Sequence, residues 1–153
     1  MPNAEQITDV CKSIIANNIE AKLAEINEKN GKGVITPVPV EYFSREIDEN
    51  MLVNYPACKI SYLRFSKIEE YTWRHYLNIE FYQVNHDQDA LEIQIKRLAS
   101  AGQKILEKEL NWHGYGHDPK VTDGFISSVL PVESGFLRAC RLQFSVDTIE
   151  EGY

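Results

Sequence analysis

A strand followed closely by a helix constrains the fold of this chain more than any other stretch. Residues 71–84 predict a strand because apolar side chains alternate along one face, formed by Trp73, His75, Leu77, Ile79 and Phe81. Residues 87–109 predict a helix because apolar positions recur about every 3.6 residues, at Leu91, Ile95, Leu98, Gly102, Ile105 and Leu106. Each element has one apolar surface to bury, so we expect the helix to cover the strand.

An N-terminal helix is predicted over residues 4–28, and its apolar stripe changes direction along its length. The first half carries Ile7, Val10, Cys11, Ile14 and Ile15, and the second half carries Ile15, Ile19, Leu23 and Ile26. A step of four residues overshoots the helical repeat, so the second stripe is rotated relative to the first. Either the helix bends at Asn17 and Asn18, which are poor helix formers, or it stays straight and serves both its own core and a neighbouring subunit.

Two hairpins are predicted on either side of the second helix. Residues 57–65 alternate between apolar and polar side chains and pair with the strand at 71–84. Residues 121–130 and 136–146 form the second hairpin.

The segment before the first hairpin is rich in proline and charge. Residues 34–43 contain Pro37 and Pro39, and because proline lacks a ladder donor, we expect at most an extended edge segment there. Residues 44–54 predict a long loop, and loops of this length are usually functional or disordered.

The resulting order of elements, α-β-β-α-β-β, predicts an α+β domain. We expect an antiparallel sheet of four or five strands with two helices packed on one face, in a single domain over residues 1–153. Tyr76 and Tyr82 lie on the opposite face of the central strand. That face would meet water in a monomer and a neighbouring subunit in an oligomer.

The net charge of −7 argues against nucleic acid as a binding target. A protein that binds phosphates needs clustered basic side chains, and the lysines and arginines here are scattered along the chain.

We also expect neither a membrane span nor a secretory signal. No apolar run reaches the length of about 20 residues that crosses a bilayer, and the first residues lack the basic and apolar segments of a signal peptide.

The three cysteines, Cys11, Cys58 and Cys140, are odd in number and far apart in the sequence. Each lies among apolar positions of a predicted helix or strand. We interpret them as small buried hydrophobic residues in a reducing compartment, with no disulfide and no metal role.

His113, His117 and Asp118 are the only cluster in the sequence with a metal-like composition. Zinc usually takes three or four ligands that further hydrogen bonds hold in place. The two histidines are separated by Gly-Tyr-Gly in a predicted loop, which lacks the helical frame that aligns such a pair. We therefore interpret this stretch as an aromatic-rich loop and expect no metal and no cofactor.

Catalytic groups are also not expected. Glu69 and Glu70 are adjacent carboxylates at a predicted hairpin tip, where they point apart into solvent, so nothing there favours acid–base chemistry. His75, on the apolar face of its strand, is expected to be a satisfied histidine of the core or of an interface. Phosphate-loop, dinucleotide-binding and serine-hydrolase motifs are missing from the sequence. We therefore expect a protein that is not an enzyme.

Several features follow one another along nearly the whole chain. They are a helix at residues 7–26, an extended link with Pro37 and Pro39, the segments Lys59-Ile60-Ser61-Tyr62 and Leu77-Asn78-Ile79-Glu80-Phe81, a helix at 90–110 and a closing strand at 138–146. In their order, spacing and residue character these features resemble the tail terminator (tail completion) proteins of long-tailed bacteriophages. This family of neck proteins has no diagnostic short motif.

The resemblance implies a small α+β subunit that forms a hexameric ring on top of the tail tube. Such a ring stops tube growth and joins the tail to the head. The implied partners are further copies of the chain, the tail tube protein and the head connector or neck proteins. DNA would pass through without specific binding, since like charges repel. The implied location is the virion tail or neck, after assembly in the host cytoplasm.

Contacts with neighbours are expected on loops and hairpin tips, because these can reach other subunits while the core of a sheet cannot. The predicted interface residues are Arg45, Glu46, Asp48, Glu49, Ile68, Glu69, Glu70, Tyr71 and Ile93. Ile93 is included because it lies opposite the apolar stripe of its helix.

A function of another class remains open at this point, namely a small-molecule-binding or enzymatic α+β domain. It predicts a deep concavity over the sheet, with His75, Tyr76 or Arg138 pointing into it. A structural ring protein predicts instead an oligomer without such a pocket.

Overall fold

The computed structural model describes residues 4–31, 33–36, 41–43, 54–108 and 116–150 of the chain. Its elements, in order, are α1 (Ala4–Asn30), β1 (Glu41–Phe43), β2 (Ala57–Glu69), β3 (Thr72–Asn85), α2 (Gln88–Lys108), β4 (His117–Ile126), β5 (Leu130–Val132) and β6 (Gly135–Ile149).

The strands form one sheet in the order β1-β2-β3-β6-β4, and the short β5 pairs with β6. The five strands β2 to β6 pair in an antiparallel manner, whereas β1 lies parallel to the start of β2. The predicted α+β class, with its antiparallel sheet and two helices, is confirmed. Of the extended edge segment expected over residues 34–43, Glu41–Phe43 form the edge strand β1, residues 34–36 are not a strand, and Pro37 and Pro39 lie outside the described residues.

Several strand boundaries differ from the sequence prediction. β6 runs to Ile149, beyond the predicted end at residue 146, and Leu130, the predicted end of the preceding strand, instead begins the separate strand β5. β2 continues to Glu69, beyond the predicted end at residue 65, because it stays paired with β3 up to the turn. β4 begins at His117 and ends at Ile126, so His117 and Asp118 start a strand where a loop was predicted. Pro119 lies inside β4, and β4 tolerates it because it is an edge strand with one unpaired side.

The covered face of the sheet carries one continuous core. Cys58 on β2 lies beside Phe81 on β3, which lies beside Cys140 on β6, and the next inward-facing row is Ile60, Ile79 and Leu142. Both helices contribute to the same cluster of buried residues. All three cysteines are buried and free, as predicted.

α1 is one uninterrupted helix, and both of its apolar stripes are buried in this core. Asn18 donates its side-chain amide to the carbonyl of Ile14, 2.7 Å away, so its polar group is satisfied within the helix. The alternative in which one stripe serves a neighbouring subunit is therefore wrong, because neither stripe remains exposed.

The segment after α1 is held against both helices by a small polar network. Asn27 exchanges two hydrogen bonds of 3.2 Å with the backbone of Thr36, as a neighbouring strand would. Arg97, which is buried on α2, donates to the Asn27 side chain at 2.9 Å and to the Val34 carbonyl. These bonds satisfy a guanidinium that would otherwise be costly to bury.

α2 comes unusually close to the sheet at Gly102. A Cβ at this position would lie 2.7 Å from Cε2 of Phe81 and 2.9 Å from Cδ1 of Leu142. Glycine is therefore required here by the space between helix and sheet.

α2 begins at a capped end, since the Asp87 carboxylate accepts hydrogen bonds from the backbone N–H groups of Asp89 and Ala90.

We expect Gly102→Val to lower the free energy of unfolding by about 2 kcal/mol or more, because the new side chain overlaps Phe81 and Leu142 in a packed core. Gln103→Val is the matched control, since it places the same side chain at the next, exposed position of the helix. Urea denaturation of both variants measures the difference. Equal stabilities would show that α2 does not approach the sheet this closely.

Candidate functional site

The predicted interface residues fall into three groups in the structure. Arg45, Glu46, Asp48 and Glu49 lie outside the described residues. Ile68, Glu69, Glu70 and Tyr71 lie together at the turn between β2 and β3, and all four are exposed. Ile93 is half-buried in the first half of α2, which follows the other end of β3, so it lies far from the turn.

The turn belongs to a longer exposed projection, which we call the arm and define as residues 63–71. β2 buries side chains only in its first part, and from Leu63 onward its residues are largely exposed. The pairing with β3 shifts register between Tyr62 and Arg64, which marks a bulge at Leu63. The paired part of the arm, residues 63–69, spans on the order of 20 Å.

The arm exposes four large apolar side chains within a short stretch. Leu63 is 52% exposed, Phe65 53%, Ile68 38% and Tyr71 53%. Single exposed apolar residues are normal on a protein surface, whereas several together mark an interaction surface. The arm is therefore the first candidate functional surface.

Aromatic residues and a histidine hold the base of the arm in place. His75 is buried, and its two ring nitrogens lie 2.6 Å from the Tyr62 hydroxyl and 2.8 Å from Oγ1 of Thr148. The ring of Phe65 packs edge-on against Trp73, with 5.5 Å between centroids. The prediction of a satisfied histidine at position 75 is confirmed.

Burial also changes the acid–base behaviour of His75. Removal from water disfavours the charged imidazolium and lowers the pKa of His75, while the negative charge of Asp147 opposes this shift. The buried histidine therefore resists protonation more than the same residue in the unfolded chain.

The opposite face of the arm's base is fixed by an ion pair. Arg74 donates from Nε and a terminal nitrogen to the two carboxylate oxygens of Asp147, at 2.8 and 3.0 Å. Asp147 is buried, and its hydrogen bonds with Arg74 raise the pKa of the guanidinium. This bidentate pair ties β3 to β6, so the arm extends from a rigid base.

Three groups with metal-ligating atoms also meet near this base. His117 and Asp118 at the start of β4 lie close to Asp147, with ligand atoms within 4.8 Å of one another. Both oxygens of Asp147 already accept hydrogen bonds from Arg74. The negative charge of Asp147 is therefore already paired with Arg74, which weakens the attraction of these three groups for a cation. His113 lies outside the described residues.

A second surface lies along the other edge of the sheet, between α2 and β4. It is an open groove of about 430 Å³, and we call it the edge groove. Its lining is mainly apolar, with Ala99 from α2, Val121, Phe125 and Ile126 from β4, and Leu142 from β6. Asp123 is the charged residue in the lining, and Phe125 is 62% exposed.

Sequence reasoning missed the edge groove. The register of β4 against β6 shifts twice, between His117 and Lys120 and between Val121 and Asp123. Each shift interrupts the alternation of side chains, so the face on which Phe125 lies cannot be counted from the start of the strand. The usable signal was the adjacent apolar pair Phe125 and Ile126, because neighbouring residues on a strand point to opposite faces and one of the two must lie away from the core.

The three residues predicted for a ligand pocket do not converge. His75 is buried on the covered side of the sheet, and Tyr76 lies on the open side with the Arg64 guanidinium 3.9 Å from its ring centroid. Arg138 pairs in register with Gln83, at the end of β3 far from His75, and donates from Nε to the Ser127 carbonyl at 3.0 Å.

The lowered pKa of His75 predicts a pH dependence of stability. Below the ordinary value of 6.5 the unfolded chain binds a proton that the folded chain resists, so this contribution to stability is complete above pH 6.5 and is lost as the pH falls toward the lowered pKa. Urea denaturation at a series of pH values should give a shallower slope for His75→Gln than for the unchanged protein in this window. His86→Gln, at an exposed site, is the control. The hypothesis fails if His75→Gln keeps the full slope.

Among the described residues, no helix is long and apolar enough to cross a membrane. No protein-family model matches the chain, and no curated protein matches it.

Proposed function

We propose that this protein is a structural subunit of the ring at the head-proximal end of a long-tailed phage tail. In this role it ends growth of the tail tube and joins the tail to the head. The proposal begins from the resemblance of this chain to tail terminator proteins in the order and residue character of its elements. The α+β fold, with its long hairpin and its two helices on one face of the sheet, is compatible with that resemblance.

The observation that supports the proposal best is a pair of unlike apolar surfaces at different places on one subunit. The arm grows from β2 and β3, whereas the edge groove lies along β4 at the opposite edge of the sheet. A ring needs a head-to-tail interface, in which one surface of a subunit meets a different surface of the next. A single self-complementary patch would instead favour a closed dimer.

The charge of the chain suits a ring through which DNA passes. Each subunit carries a net charge of −7, and a ring multiplies this charge by the number of its copies. Like-charge repulsion disfavours binding of the DNA backbone, so DNA would move through the ring without adhering to it. The proposed partners are further copies of the chain, the tail tube protein and the head connector or neck proteins, and the proposed location is the virion.

The competing enzymatic or small-molecule function lacks a comparable supporting observation. His75 is occupied by Tyr62 and Thr148, and Arg138 lies at the other end of the strand. The edge groove is open and contains a single charged side chain, Asp123. A pocket for a small ligand usually has several polar groups that converge on the ligand.

The function is tested by adding the purified protein to tail tubes assembled from the tube protein of the same phage. Electron microscopy should show a ring at one end of each tube, and tubes grown in its presence should be shorter than tubes grown alone. Image classification of the capped ends gives the rotational symmetry of the ring and therefore the number of its subunits. Tubes that grow to full length with bare ends would overturn the proposal, as would binding along their sides.

A further inference from the structure

We propose that residues 33–36 form a strap that opens from the domain as one unit and closes again while the rest of the fold stays intact. The strap follows α1 and lies against both helices. Its opening is a property of the single subunit, so it does not depend on the assembly that the subunit enters.

The strap is attached to the helices through its backbone. Asn27 on α1 donates to the Thr36 carbonyl and accepts from the Thr36 N–H, both at 3.2 Å. On α2, Gln94 donates to the Ile35 carbonyl at 2.8 Å, and Arg97 donates to the Val34 carbonyl. Water replaces each of these bonds when the strap leaves, so the net contribution of each bond to closure is small.

Little apolar surface holds the strap in place. Ile35 is 67% exposed, and Gly33 is also exposed. Val34 is half-buried, yet neither Val34 nor Ile35 belongs to the apolar core or to the partly buried side chains packed against it. The hydrophobic effect, which makes removal of a core residue costly, therefore acts only weakly on this segment.

The closed strap also covers polar groups that are incompletely paired. Arg97 is buried, and its hydrogen bonds go to neutral oxygens of Asn27 and Val34, with no carboxylate among the described residues to balance its charge. Oγ1 of Thr36 is buried without a hydrogen-bond partner in the same described part of the chain. Burial of such groups is costly. Opening lets water reach them, and this hydration offsets part of the loss of the four backbone bonds.

Two glycines provide a pivot where the strap begins. Gly31 and Gly33 have φ values of 53° and 73°, in the left-handed region that glycine adopts without strain. A Cβ at Gly33 would meet no atom within 4 Å, so the backbone there is not wedged between neighbours. Because glycine takes either sign of φ readily, the chain can rotate at this point without moving α1.

Native-state hydrogen exchange, followed by NMR, measures the opening. The N–H of Thr36 should exchange at least about a hundredfold faster than the N–H groups of Ile79 and Phe81 in the central strand β3, and more slowly than an unprotected amide. Low concentrations of urea should leave the Thr36 rate nearly unchanged, because opening exposes little surface. The same concentrations should accelerate exchange at Ile79 and Phe81, which requires unfolding of the domain.

Two results of this measurement would overturn the proposal. If Thr36 exchanges together with Ile79 and Phe81 and responds equally to urea, the strap opens only when the domain unfolds. If Thr36 exchanges at the rate of an unprotected amide, the strap has no closed state from which to open.

Two variants test whether the strap moves as one unit, and both leave the bonds of Thr36 itself in place. Gly33→Ala adds no contact but strains the closed backbone, because an L-residue is disfavoured at this φ. Gln94→Ala removes the bond to the Ile35 carbonyl on the other helix. Each should accelerate exchange of the Thr36 N–H roughly five- to tenfold, and the rate should remain insensitive to low urea.

Matched controls carry the same substitutions away from the strap. Gly124→Ala lies in β4, where a Cβ comes no closer than 3.8 Å to another atom, and Gln103→Ala lies at an exposed position of α2. Both should leave exchange at Thr36 unchanged. The proposal is overturned if Gly33→Ala and Gln94→Ala also leave it unchanged, since the bonds of the strap would then break independently of one another.

Discussion

The close approach of α2 to the sheet at Gly102 is the contact on which the rest of the structure depends. Because the helix backbone lies against Phe81 and Leu142, α2 covers the middle of the sheet and the core closes beneath it. The same position brings the second half of α2 beside β4, where Ala99 and Gln103 form one wall of the edge groove. The helix thus buries one surface of the domain and shapes another that stays open.

Much of this fold could be predicted from residues that interact locally. The alternation from Trp73 to Phe81 and the helical stripe that includes Gly102 indicated β3, α2 and their contact, because both patterns depend only on backbone periodicity. The arm was located only in part. Its tip at Ile68 and Tyr71 was expected to be exposed, but the bulge at Leu63 depends on pairing with β3, which the spacing of residues in β2 does not reveal.

Side chains that meet partners far along the chain were beyond sequence reasoning. From the sequence, Arg97 is expected to be a charged surface residue of an amphipathic helix. It is buried instead, because the oxygens of the Asn27 side chain and the Val34 carbonyl accept hydrogen bonds from its guanidinium. Asp147 likewise lies in a strand that gives no sign of its bidentate bond to Arg74. The edge groove needs α2 and β4 together, so neither element predicts it alone.

The order of strands in the sheet has a consequence for how the chain acquires its structure during synthesis. β3 lies at the centre, but one of its two partners is β6, the last strand in chain order, with α2, β4 and β5 between them. Until β6 has been synthesised, one edge of β3 lacks its partner strand, and the part of the sheet that α2 covers is incomplete. The sheet can therefore be completed only after the chain has been synthesised as far as β6.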